Sequence, residues 1–276
     1  MRARVLVVAD DFGMTPSTNR AIVDAVRRGA VDSASLMVGA PHATDAVTAW
    51  PAESGLGIHL NLTEGSPLGG VADTVSLRDP RTGGFWDKHT FWERCASGGI
   101  SDVDVFRETR AQMRRFVEMT GGRSPAHLDG HHHCHVASPE VALAVGRAVK
   151  ECVDEMGGEL PRVRIPAEAN PIARDCVVCE RARAATKLVE PLLFEAFGFP
   201  TTDRFVGQSL CSDTPVDATA LWGVVTAALG DSETTIVELM CHPAYHDPTS
   251  NSWYEGPRRE EELRLLLELF GDGRAA

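Results

Sequence analysis

The stretch RVLVVADDFGMTP, residues 4–16, sets the reading of the whole chain. Residues 4–9 are apolar without alternation, the mark of a strand buried on both faces inside a parallel sheet. Thr15 and Pro16 then open a helix, because a threonine hydroxyl caps free N–H groups and proline suits the first helical position. Ala21, Ile22, Ala25 and Val26 form its apolar stripe, and Gly29 ends it. Between strand and helix stand two carboxylates, Asp10 and Asp11. Neighbours on an extended chain point to opposite sides, so the pair shares a target only if the chain turns there, and Phe12-Gly13 offers a turn. Buried together the two would repel, and a cation beside them would stabilise both.

The same alternation continues outward. Stretches 34–38, 55–62, 126–129, 163–165, 204–206 and 234–240 read as further strands. Helices are expected near 42–50, 101–120, 138–152, 180–197, 215–229 (capped by Thr214-Pro215) and 257–270. Strands alternating with helices predict a mainly parallel α/β sheet covered by helices. A (β/α) barrel, complete or incomplete, and an open doubly wound sheet both satisfy this order. The missing G-x-G-x-x-G after the first strand favours the barrel. Residues 65–86, rich in Gly, Pro and Asp, read as a long excursion of the functional or mobile kind.

At 276 residues, one domain covering 1–276 is expected. A net charge of −12, with no basic block, argues against nucleic acid or anionic lipid as partner. There is neither an apolar run of membrane-spanning length nor a leader-like N-terminus, so a cytoplasmic protein is expected, with no membrane partner. The seven scattered cysteines fit a reducing compartment. Cys176 and Cys179 have C-x-x-C spacing, but no second pair follows at zinc-ribbon distance, and they read as ordinary thiols. A homodimer is the default assembly.

Polar residues gather where strands end: Asp10-Asp11, His59 with Asn61, HLDGHHHCH over 127–135, Arg164, and Glu238 with His242. In a parallel α/β protein these ends open on one face. The run His131, His132, His133 and His135 is the specific signal, since imidazole ligates zinc, iron, copper and nickel. Asp129 is placed to orient a ligand. His59 alone would read as a core histidine, His242 as a proton donor or a loop residue, and Arg164 as a partner for Asp10 or a plain salt bridge.

Together, ADDFG (9–13), GIHLNLTEG (57–65), HLDGHHHCH (127–135) and ELMCHP (238–243) resemble, in that order, the YdjC-like carbohydrate deacetylases, which include chitooligosaccharide deacetylases. The resemblance implies a (β/α) barrel of the glycoside hydrolase/deacetylase kind that removes acetyl from an N-acetylated sugar. It implies a divalent ion, magnesium or zinc, on Asp11, His59 and His131, with His132 and His133 as competing neighbours. It implies Asp10 as general base and His242 as acid. Arg164 and Asn61 are expected at the substrate and Asp129 behind the ligands. Residues 166–206 carry little of the resemblance, and substrate choice is expected there. Competing expectations are an iron oxygenase with the same three ligands, a metal-dependent phosphoesterase, and a sugar-binding protein without turnover.

Overall fold

The computed structural model describes residues 4–169, 171–172, 175–211, 215–231 and 233–271. Seven strands, β1 (Val5–Phe12), β2 (Ser33–Leu36), β3 (Gly55–Leu60), β4 (His127–Gly130), β5 (Arg162–Val163), β6 (Arg204–Val206) and β7 (Val237–Cys241), form one sheet. All pairs are parallel, in the order β5-β4-β3-β2-β1-β7-β6. Each strand therefore lies beside a chain neighbour, β1 meets β7, and the sheet curls into a half-barrel that stays open between β5 and β6. This is the incomplete form of the expected barrel.

Among the described residues, eight α-helices surround the sheet: α1 (Pro16–Arg27), α2 (Ala43–Ala49), α3 (Lys88–Ala96), α4 (Asp102–Met119), α5 (Pro139–Met156), α6 (Val177–Phe197), α7 (Ala218–Leu229) and α8 (Pro257–Phe270). The N-cap hydroxyls of Thr15, Ser101 and Ser138 accept from Thr18, Asp104 and Val141 N–H, as their positions predict. Two departures stand out. Helix α3, capped by Asp87, was not expected; its apolar face is only Phe91, Trp92 and Cys95, too short a stripe to read as periodic. Helix α7 starts at Ala218 under an Asp217 cap, and the expected cap Thr214 lies outside the described residues.

The core forms between β-strand and helix apolar faces, with Val7, Ala9, Ile58, Leu60 and Leu239 meeting Ala21, Ile22 and Val225, all fully buried. The excursion at 65–86 is tied down by α4. The Glu108 carboxylate accepts from Leu68 and Gly69 N–H at 3.0 and 2.8 Å, and Asp104 accepts from Ser76 N–H at 2.7 Å. Among the described residues no helix is long and apolar enough to cross a membrane.

Candidate metal centre and active site

The turn that adjacent carboxylates require is present. β1 breaks register with β2 between Ala9 and Phe12, and Asp11 adopts φ 63°. A left-handed non-glycine residue costs of order 1–3 kcal/mol, and such strain clusters at functional sites. Gly13 follows at φ 105°, where a Cβ would stand 3.1 Å from Ala43 Cα. The kink brings both carboxylates to the open end of the sheet.

Asp11 Oδ1, His59 Nε2 and His131 Nδ1 form a compact triangle. Asp11 Oδ1 is 3.4 Å from His59 Nε2 and 3.0 Å from His131 Nδ1, and the two ring nitrogens are 3.2 Å apart. Donors bound to one ion at about 2.1 Å with angles of about 90–109° stand about 3.0–3.4 Å apart, so the triangle fits a small divalent cation. Asp11 Oδ1 is buried yet lies off the line of any protein hydrogen bond. Its lone pairs are thus free for an ion.

Both imidazoles are held in the tautomer that ligation needs. His59 pairs in register with Asp129 across β3 and β4, and its Nδ1–H donates to Asp129 Oδ1 at 2.6 Å, leaving the Nε2 lone pair in the triangle. His131 Nε2–H faces Glu64 Oε2 at 3.0 Å, leaving Nδ1 free. Tyr254 OH donates to the same Glu64 oxygen at 2.5 Å. Such carboxylate–histidine pairs orient ligands and raise their basicity.

The charge balance asks for a cation. Burial would raise Asp11, but the adjoining His131 and His59 hold it well below the usual carboxylate range. Burial disfavours charge on His59 too, yet Asp10, Asp129 and Asp11 carry it up to about 10. The carboxylates around the triangle thus favour a positive charge at its centre.

Asp10 lies beside the triangle. Arg164 donates to it from Nη1 at 2.5 Å and from Nη2 at 2.8 Å, and Ser35 Oγ donates at 3.3 Å. Burial raises Asp10 above its ordinary value, with Arg164 opposing and Asp129 adding to the rise. His242 Nε2 is 3.9 Å from Asp10 Oδ2. Burial first, then the Arg259 charge, lowers His242 to about 4. It is therefore neutral in the resting site and can donate only after receiving a proton.

Two expected substrate contacts lie elsewhere. Arg164 is 1% exposed, occupied by Asp10, by Asp129 Oδ2 at 2.9 Å and by Glu238 Oε1 at 2.5 Å. It neutralises the buried carboxylates beneath the site and does not face the cavity. Asn61 is also buried: its Oδ1 accepts from Thr63 and Glu64 N–H, and its Nδ2 donates to Glu64 O at 2.6 Å. This turn ends β3 and aims Glu64 at His131. Of the competing histidines, His132 hydrogen-bonds Thr63 Oγ1 at 2.9 Å, and His133 Nε2 faces Cys179 Sγ at 3.9 Å. Both adopt left-handed φ, 53° and 55°; neither belongs to the triangle, although the His132 ring packs on His131 with centroids 3.8 Å apart and groups with Glu64 and His131 as a second candidate donor set.

A cavity of about 510 Å³ opens over the triangle, reaching Asp10, His242, Lys88, Trp253 and Tyr254. Trp253 is 54% exposed, with Arg259 stacked on its ring at 3.5 Å. Sequence reading missed Ser35, Glu64, Trp253 and Tyr254. Ser35 carried a signal, since Ser33 and Ser35 lie two apart on a buried strand, and Glu64 stood within GIHLNLTEG.

A family model described as YdjC-like protein matches residues 4–269. The chain is 35% identical over 284 residues to a carbohydrate deacetylase of Mus musculus, covering 96% of this chain and 88% of that protein. It is 29% identical over 265 residues to a chitooligosaccharide deacetylase of Serratia marcescens, covering 95% and 90%. A crystal structure of a candidate cellobiose-phosphate cleavage protein from Enterococcus faecalis V583 superposes with a TM-score of 0.70 at 23% identity, over 96% of this chain and 91% of that one. That last likeness is one of fold.

Proposed function

The chain belongs to the YdjC-like family, and on that footing we propose that it is a metal-dependent hydrolase removing the acetyl group from an N-acetylated sugar. The observation that carries this reading is the triangle of Asp11, His59 and His131, with Asp10 and His242 beside it on a cavity wide enough for a sugar.

A divalent ion, magnesium or zinc, held by these three residues would act as a Lewis acid on the acetyl oxygen and make water acidic enough to attack. Asp10, with its raised proton affinity, takes the proton of the attacking water. Arg164 holds its carboxylate in place and keeps it from swinging away. His242, neutral at rest, receives a proton within the cavity and passes it to the departing nitrogen. The exposed face of Trp253 packs against the sugar ring. A phosphoesterase reading is less favoured: among the described residues Lys88 is the one Lys or Arg lining the cavity. The cysteines, free in the structure, support a cytoplasmic setting. We take a homodimer as the assembly to test by sedimentation.

The deciding experiment measures acetate release from a panel of N-acetylated sugars and oligomers, before and after chelation and with single-metal add-back. We expect acetate from at least one sugar, loss on chelation and recovery with one divalent ion. Failure of the metal-loaded protein on every sugar, or activity indifferent to chelation, would refute the reading.

A further inference from the structure

The segment that carried least of the family resemblance holds an arrangement deacetylation does not use. Cys176 is the N-cap of the 21-residue helix α6, and its Sγ accepts the Cys179 N–H at 3.4 Å. Cys179 is buried, and its Sγ faces His133 Nε2 at 3.9 Å. Cys176, Cys179 and Cys211 all line the cavity over the triangle, and Cys176 and Cys211 are half-buried.

Two chemistries could use such a cluster, and geometry separates them. Among the described residues, the three thiols and His133 do not come within 4.8 Å of one another as a set, as the Asp11, His59 and His131 donors do. The Cys179 N–H instead bonds the Cys176 sulfur at 3.4 Å, while its own Sγ faces His133. That favours pairwise sulfur chemistry over an ion cage. The N-cap and third helical positions also place Cα atoms about 5–6 Å apart, within the span of a disulfide.

We propose that Cys176 and Cys179 form a reversible thiol–disulfide exchange site on the cavity wall, whose substrate is a low-molecular-weight disulfide of the glutathione class. Cys176 is the attacking sulfur: it alone of the pair is half-open to the cavity, it sits at a helix N-terminus, and Lys88 shares its wall. The neighbouring Cys179, against burial, lowers it to about 6, whereas Cys179 is pushed far up. The recess admits a small disulfide more readily than a protein. In the first step the Cys176 thiolate attacks one sulfur of R–S–S–R; that S–S bond breaks, a mixed disulfide forms and RS⁻ leaves. Cys179 then loses its proton to solvent, attacks the Cys176 sulfur and expels the second RS⁻. Two protein thiols are oxidised and one small disulfide is reduced to two thiols. The product is a cross-link at the mouth of helix α6, and the inference is independent of the proposed deacetylation.

The test incubates the reduced full-length protein with glutathione disulfide, blocks remaining thiols by alkylation and maps peptides without reduction. The parent is expected to lose two hydrogens and to yield a Cys176–Cys179 disulfide, reversed by dithiothreitol. Cys179→Ser should accumulate the mixed disulfide on Cys176, and Cys176→Ser should remain unmodified at Cys179. Circular dichroism checks that each variant is folded. Glutathione landing on another cysteine in Cys179→Ser, or a folded parent that forms no internal disulfide, overturns the proposal. So does stoichiometric zinc retained by Asp11→Asn and lost in Cys179→Ser, which would make the cluster a metal site.

Discussion

Asp129→Asn tests the reasoning about the metal centre most sharply, because it changes one charge and almost no volume. In the structure Asp129 Oδ1 accepts from His59 Nδ1–H at 2.6 Å, while Oδ2 stands 2.9 Å from Arg164 Nη2. An asparagine can meet only one of these neighbours with oxygen. If its oxygen faces His59, its NH₂ confronts the guanidinium donors and a buried ion pair is lost. If it flips, its NH₂ faces His59 Nδ1, which must then accept, and the imidazole proton moves to Nε2 inside the triangle. Either outcome weakens ligation. Loss of a partner behind a ligand typically costs about 10–100-fold in metal affinity, about 1.4–2.7 kcal/mol. Calorimetric titration of metal-free parent and variant with zinc measures this directly, and nitrogen NMR of the imidazoles reports the tautomer. A folded variant that binds zinc within about twofold of the parent, against that 10–100-fold expectation, would refute the role assigned to Asp129.

Asp10→Asn should keep the metal, measured by calorimetry, while acetate release falls by roughly 10²–10⁴-fold, the usual worth of a general base. Trp253→Ala should raise KM by about 2–12-fold with kcat little changed, if its ring contributes about 0.5–1.5 kcal/mol to sugar binding. Burial lifts Glu168 to about 7, against the Gly207 and Gln208 N–H groups that bond it. The unfolded carboxyl ionises near 4.5, so this group's contribution to stability is lost as pH rises from about 4.5 to about 7. Glu168→Gln, which can still accept both N–H groups, should therefore gain Tm relative to the parent at about pH 7.5 and gain far less at about pH 5, at roughly 2–4 °C per kcal/mol. A constant difference across that range would show that the charge is not what matters.

The parts of the molecule that were legible in the sequence are those whose cause is local. β1 and α1 follow from an apolar run, a cap, a proline and a terminal glycine within residues 4–29. The gathering of Asp11, His59 and His131 was legible one level up, because parallel strands turn residues distant in sequence into neighbours at one face. What stayed hidden depends on direction. Arg164 and Asn61 sit at strand ends as expected, but the fold spends the first on Asp10, Asp129 and Glu238 and the second on a turn. Glu64 and Tyr254 are single residues 190 apart in sequence, and their meeting at His131 follows from loop paths that no periodicity encodes.

The opening between β5 and β6 has an evolutionary consequence. A closed ring fixes the stagger and tilt of every stave, so a change in one connection disturbs all the others. Here the ring is cut, and the staves bordering the cut are only two and three residues long. The three candidate ligands stand on β1, on β3 and just after β4, away from that border. Lineages can therefore lengthen, shorten or rewrite the chain that crosses the cut, and so reshape the vestibule, while Asp11, His59 and His131 keep their spacing.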